Sequence, residues 1–259
     1  MKIYNKNLKY KIAKKLYYIS LKIDNSNNCN FDTNGEKKSV ESLFKKLNQK
    51  EQITLFEVGG NVGDYTQILF DNAKKTSSNF TIHVFEPTQF CFKKLSDRFR
   101  DERIILNNCA CSESSGHSEI FYDSKGSGLA SMYKRNLKLY NIDLGIKETI
   151  KTERLDAYIK QKQISHIDFM KVDVEGHEMS VFKGMGDFLR LDFIDYIQFE
   201  YGGANLDSMT SLMDLTELLV SKGFTIAKIM PDGLQIREYE QFLENFEYSN
   251  YVAISNRIL

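Results

Sequence analysis

The stretch ITLFEVGGNVGDYTQILFDNA (residues 53–73) passes from an unbroken apolar run, through a glycine-rich turn, into apolar residues at helical spacing. Residues 53–58 read as a short buried strand, and residues 64–73, with Tyr65, Ile68 and Leu69 on one side, as the helix that follows. The same alternation continues outward. Residues 81–85 predict a second strand, 89–99 a second helix and 104–106 the start of a third strand. Beyond an irregular middle, 153–161 reads as a helix, 167–174 as a strand, 177–185 as a helix and 193–199 as a strand. A long helix at 208–221 and strands at 224–229 and 248–254 close the chain. Strands and helices alternating at this spacing make βαβ units, so the class is α/β with a mostly parallel sheet. Pro87 and Pro231 both fall just after predicted strands, where they interrupt nothing.

Length and composition fit one substantial core. The 259 residues are 42% hydrophobic and 12% aromatic, and the 35 bases balance the 35 acids at a pI near 6.9, which gives no reason to expect a nucleic-acid partner. The balance is uneven along the chain. Residues 1–22 hold Lys2, Lys6, Lys9, Lys11, Lys14, Lys15 and Lys22 and no acid, leaving the rest mildly acidic. Leu8, Ile12, Leu16 and Ile19 recur there at helical spacing, so the segment reads as a basic amphipathic helix. Its stripe has two readings, packing on the body or peripheral contact with an anionic membrane surface. Residues 23–39, rich in Asn, Asp, Ser and Lys, read as a linker, and the core is expected to begin near Val40. No apolar run approaches a membrane span, and the lysines interrupt any signal-peptide centre. Cys29, Cys91, Cys109 and Cys111 lack metal or redox spacing, so reduced thiols in a cytoplasmic protein are the simplest account.

Ligands of an open parallel sheet sit outside the carboxyl ends of the strands, and Glu57, Glu86, Asp173, Glu175 and Glu200 all fall there. The turn Gly59-Gly60-Asn61-Val62-Gly63 is not a dinucleotide fingerprint, because Asn61 stands where the middle glycine belongs. Glu57, just before it, would repel a pyrophosphate. A donor with an ammonium, a sulfonium and a ribose fits better: carboxylates attract the cations, and the amides of the next helix, with Asp64 as N-cap, receive its carboxylate. Glu86 lies 23 positions after Gly63, about where a nucleotide-binding unit places an acid for the ribose hydroxyls.

The segments FEVGGNVGDYT, VFEP, NCACSESSG, TERLDAYI, DFMKVDVEGHEMSVFKGM and YIQFEYG together resemble the FkbM family of S-adenosylmethionine-dependent methyltransferases, over about residues 55–255. KVDVEGHE is the specific element. The resemblance implies a Rossmann-like class I methyltransferase fold, a seven-stranded, mostly parallel sheet with helices on both faces and one antiparallel edge strand. It also implies methyl transfer to a hydroxyl, often of a sugar. By motif, Glu57, Gly59, Asn61 and Gly63 line the methionine end, with Gly60, Tyr65 and Thr66 beside them. Glu86 and Pro87 meet the ribose, and Cys109, Ala110 and Cys111 border the adenine. The chain departs from the commoner pattern in Glu57 for Asp and Gly60 for Ala, and residues 1–50 have no match. Residues 1–39 are thus expected to form the helix and linker, and 40–259 the methyltransferase domain.

Methyl transfer to an alkyl hydroxyl needs alignment and a group to share the proton. Alternation puts Lys171, Asp173 and Glu175 on one side of their strand. Asp173 is expected nearest the methyl group, Glu175 or His177 as base, Lys171 as the partner of an acid, and Glu178 at the helix N-terminus. Glu200 and Tyr201 are expected to face the acceptor, a small polyhydroxylated molecule of saccharide type. The clustered carboxylates are chemically suited to Mg2+, but no ligand spacing is diagnostic and a metal is not expected. Residues 125–131, with Gly126 and Gly128, form a candidate lid. Two rival classes stand beside this reading: a nicotinamide-dependent oxidoreductase or epimerase on a similar sheet, and a non-catalytic cofactor-binding module.

Overall fold

In the computed structural model, which describes residues 7–259, two helices precede the first strand: α1 (Leu8–Ile23) and α2 (Glu36–Leu47). Then the alternation begins, with β1 (Ile53–Val58), α3 (Asp64–Thr76), β2 (Phe80–Phe85), α4 (Gln89–Arg98) and β3 (Ile104–Asn107). A short β4 (Ala110–Cys111), β5 (Gly116–Tyr122) and β6 (Ile146–Glu153) leave the main sheet. The chain returns to it through α5 (Leu155–Lys162), β7 (Ile167–Val172), α6 (Glu178–Gly184) and β8 (Ile194–Tyr201). It ends with α7 (Ala204–Ser208), α8 (Leu212–Ser221), β9 (Phe224–Met230), β10 (Gly233–Ile236) and β11 (Ser249–Ser255).

The main sheet runs β10-β9-β11-β8-β7-β1-β2-β3. β1 and β7, buried along nearly their whole length, lie at its centre, as strands covered on both faces must. β11 is antiparallel to β8 and β9, and β10 is antiparallel to β9. The sheet therefore has eight strands rather than seven. The reversed last strand lies inside the sheet, and the antiparallel edge is β10, a hairpin strand too polar to read in the sequence. One face carries α2, α3 and α4 over Leu55, Ile82 and Phe169; the other carries α5, α6 and α8 over Phe56, Met170 and Ile197. Each such side chain contributes about 1.5–3 kcal/mol relative to exposure. A second sheet, β4-β6-β5, flanks the cleft end.

Three differences from the sequence reading have local causes. α2 buries Val40, Leu43, Phe44 and Leu47, so the body begins four residues before Val40 with a helix. α3 is capped by Gly63 in the left-handed conformation (φ 90°), and Asp64 is its first residue rather than its N-cap, paired with Arg98 at 2.7 Å. The linker is packed: Asp24 binds Lys228 (2.6 Å) and Arg237 (2.7 Å), and the Asn25 amide donates to the carbonyls of Asn34 and Ile229. In α1 only Leu21 is buried, so the expected apolar stripe does not pack on the body. Lys2 and Lys6 lie outside the described residues. No described helix is long and apolar enough to cross a membrane.

Candidate functional site

The carboxyl ends of β1, β2, β7 and β8, with the β4–β6 sheet as a side wall, enclose a cleft of about 280 Å³. Its floor is set by a backbone contact. Asp173 N–H donates to the Val58 carbonyl at 3.0 Å, extending the β1–β7 pairing, and Gly59 (φ 95°) turns directly beneath the Asp173 carbonyl. A Cβ on Gly59 would lie 1.9 Å from that oxygen, so only glycine lets the two loops meet.

At one end stands Glu86, which is 6% exposed. One carboxylate oxygen accepts from the Thr88 N–H (2.8 Å) and hydroxyl (2.5 Å), and the other from the Asn61 N–H (2.9 Å). Burial pushes its carboxyl up, and the bonds from Thr88 and Asn61 oppose this. The oxygen facing Thr88 already accepts two bonds, and the one facing Asn61 accepts one and keeps a lone pair for a ligand hydroxyl. Pro87, Cys109, Ala110 and Cys111 line the cleft beside it as an apolar wall. Burial pushes the Cys109 thiol up to about 12, so it is an inert wall.

At the other end Asp173, Glu175 and Glu200 bring carboxylate oxygens within 4.8 Å of one another. Asp173 accepts from Lys171 at 2.6 Å. Burial works against the Lys171 charge, but Asp173 and then Glu57 outweigh it and hold the ammonium above the usual lysine range. Glu175, in the left-handed conformation (φ 51°), is bonded through one oxygen to Arg135 at 2.5 Å. Burial and then Asp173 push it up to about 8 against the pull of Arg135. Glu200 has no hydrogen-bond donor among the described residues. Burial, followed by Asp173, Glu175 and Glu178, raises it well above the carboxylate range. The three oxygens could hold a divalent cation, although Lys171 and Arg135 already engage two of the three groups. The same negative field suits an organic cation.

Of the remaining sequence candidates, Gly59, Asn61 and His177 line this cleft, and Glu57, Gly60, Gly63, Tyr65, Thr66 and Tyr201 do not. Glu57 is 1% exposed behind the turn, accepting from the Thr66 hydroxyl at 2.6 Å, and burial pushes it up to about 7. Gly60 and Gly63 face away, against Val84 and the Phe99 ring. Tyr65 donates to Gln198 at 2.9 Å under the Lys171 ammonium. These residues brace the turn from the rear. His177 is buried, with Nδ1 bonded to Tyr133 (3.1 Å) and Nε2 to Ser112 (3.0 Å); burial lowers it to about 4. It lines the cleft with both ring nitrogens engaged in these hydrogen bonds. Tyr201 requires correction: strand alternation sends it to the face opposite Glu200, into the core, where its hydroxyl donates to Glu244 at 2.5 Å. Glu178 is at its helix N-terminus, accepting from the N–H groups of Val174 and Gly176.

Sequence reading missed Thr88, Arg135 and Tyr133. Thr88 follows Glu86-Pro87 and could have been read as a side-chain partner. The other two belong to the excursion between β5 and β6, whose return to the cleft depends on long-range pairing. Ser127, Gly128, Ala130 and Met132 of that excursion line the cleft. The Ser127 carbonyl accepts from the Asn61 amide (3.2 Å), and the Ser131 hydroxyl donates to the Glu175 carbonyl (2.7 Å).

Residues 57–248 match the family model of the methyltransferase FkbM domain. The chain is 26% identical over 212 residues to the hexuronic acid methyltransferase AglP of Haloferax volcanii, covering 78% of this chain and 80% of that protein. It is 24% identical over 194 residues to methyltransferase 1 of Beauveria bassiana, covering 69% and 74%. Among solved structures, the methyltransferase FkbM of Methylobacillus flagellatus superposes with a TM-score of 0.51 at 15% identity. The match covers 83% of this chain and 47% of that one, about half its length, and shows a shared fold.

Proposed function

The chain belongs to the FkbM methyltransferase family, and on that premise we propose that it transfers a methyl group from S-adenosylmethionine to a hydroxyl of a saccharide. The observation that carries this reading is the division of one cleft into two chemistries: the clamped Glu86 carboxylate beside an apolar wall, and a cluster of three carboxyl groups. Glu86 would hold the ribose, the wall from Cys109 to Cys111 the adenine, and Asp173, fixed by Lys171, the cationic end. When bound, S-adenosylmethionine supplies an electrophilic methyl carbon on a sulfonium.

What is asked of the protein is orientation and a destination for one proton. Glu175, pushed up to about 8 by burial and then by Asp173, is aimed by Arg135, which leaves its second oxygen for an acceptor hydroxyl; we assign it as the base. Glu200, its carboxyl raised well above the usual range by burial and then by its acidic neighbours, is placed to hydrogen-bond the same acceptor. The relative from Haloferax volcanii, named for a sugar acid, supports the saccharide class.

The test is incubation with labelled S-adenosylmethionine and neutral sugars, nucleotide sugars and uronic acids. Label should enter hydroxylated acceptors, and Glu175→Gln should lower turnover about 100-fold or more while S-adenosylhomocysteine still binds. Transfer to no hydroxylated acceptor, or full turnover in Glu175→Gln, would refute the assignment.

A further inference from the structure

On α1, Leu8, Ile12, Leu16, Ile19 and Ile23 fall within an arc of about 80° at about 100° per residue. All five are exposed, between 46% and 75%. The contacts with the body come from the opposite side of the helix, where Leu21 is buried and the Tyr17 hydroxyl donates to Glu247 at 2.8 Å. The apolar stripe therefore points directly away from the protein. Lys11, Lys15 and Lys22 flank it on one side and Lys9 on the other, all exposed, and α1 contains no acid. Its far end is fastened by the ion pairs of Asp24 with Lys228 and Arg237.

We propose that α1 is an in-plane docking helix for an anionic bilayer surface, its stripe entering the acyl boundary and its lysines meeting lipid phosphates. The helix is not long and apolar enough to span the bilayer. An exposed apolar stripe bordered by lysines on an otherwise mildly acidic protein is the pattern that such a surface complements. A second copy of the helix is a poor occupant, since packing stripe on stripe would bring two rows of lysine together. The attachment is also positioned. Asn27 N–H donates to the Tyr248 carbonyl at 2.8 Å, just before Ser249 pairs with Tyr201, so α1 is fixed at the pole of the sheet that carries the cleft.

The experiment is co-sedimentation of the full chain with vesicles of phosphatidylcholine alone and with about one-third phosphatidylglycerol. Binding should appear only with the anionic vesicles and weaken as salt rises. Leu16→Ser with Ile19→Ser should lower it roughly tenfold or more, and Lys11→Gln, Lys15→Gln and Lys22→Gln about fivefold each. Because these residues are exposed and remote from the cleft, S-adenosylhomocysteine binding should be unchanged in every variant. Equal sedimentation of wild type and stripe variant, or no sedimentation of wild type, overturns the proposal. So does a wild-type dimer that the stripe variant dissociates without any vesicle binding, because a second copy would then cover the stripe.

Discussion

Replacing Glu86 with Gln tests the ribose end of the cleft with the smallest change of shape. The carboxylate accepts from Thr88 with one oxygen and from Asn61 with the other. An amide has one oxygen, so whichever way it is turned its NH2 group faces a backbone N–H. One bond is lost and a donor is left opposite a donor, costing about 1–3 kcal/mol in the order of the turn. The diol meanwhile exchanges a charged acceptor for a neutral one, a further loss of about 1 kcal/mol or more. Together these give about 2–4 kcal/mol, or about 30- to 1000-fold in the Kd for S-adenosylhomocysteine. Calorimetric titration of wild type and Glu86→Gln reads the ratio, and thermal melting of the free proteins separates lost binding from lost folding. A Kd within about threefold of wild type, with the melting temperature preserved, would refute the placement of the ribose at Glu86.

Three further outcomes follow from the geometry. Gly59→Ala places a Cβ 1.9 Å from the Asp173 carbonyl at φ 95°, so chemical denaturation should show a loss of several kcal/mol, roughly 3 or more; a loss below about 1 kcal/mol would contradict the close approach. Tyr201→Phe should cost about 1–2 kcal/mol of stability through the Glu244 bond while leaving kcat/KM unchanged, whereas a change in kcat/KM at equal stability would return Tyr201 to the acceptor site. The folded His177 pKa of about 4 lies below its ordinary 6.5, so the unfolded chain takes up the proton first as pH falls. Acidification from pH 7 to 4 should therefore cost wild type about 3 kcal/mol that His177→Gln does not lose, read as a narrowing stability gap in urea denaturation across that range.

The legible parts of this fold were those in which one residue type dominates a segment. β1, β7, β8 and β11 are nearly all buried and announced themselves as apolar runs. β6 (IKETIKTE), the middle strand of the small sheet, has only two apolar residues, and β10 (GLQI) exposes almost every side chain; neither carries a burial signal of its own. At the site, acids at strand ends were readable because strand direction alone brings Glu86, Asp173, Glu175 and Glu200 to one pole. The turn was readable in sequence but not in depth, so Glu57 and Thr66 were expected at the ligand and instead bond each other behind it. Tyr201 follows from alternation alone once Glu200 faces the cleft. Arg135 had no such cue, since nothing local to residue 135 indicates that the chain there returns to Glu175.

The excursion between β5 and β6 leaves and re-enters the fold at one rung, where Tyr122 pairs with Ile146. Everything between them is contiguous in sequence and walls the cleft at both ends, Ser127 against Asn61 and Arg135 against Glu175, whereas Glu86 and Asn61 themselves sit on turns locked into the main sheet. Under the proposed function, acceptor preference is expected to follow this one passage, which also touches the Glu86 end of the cleft through Ser127 and Asn61. On the same reading, exchanging residues 123–145 as a cassette is expected to change the acceptor preference, at an entropic cost that grows only logarithmically with insert length. The graft must keep the tethers to the scaffold: Ser127 to Asn61, Ser131 and Arg135 to Glu175, and Tyr133 to His177.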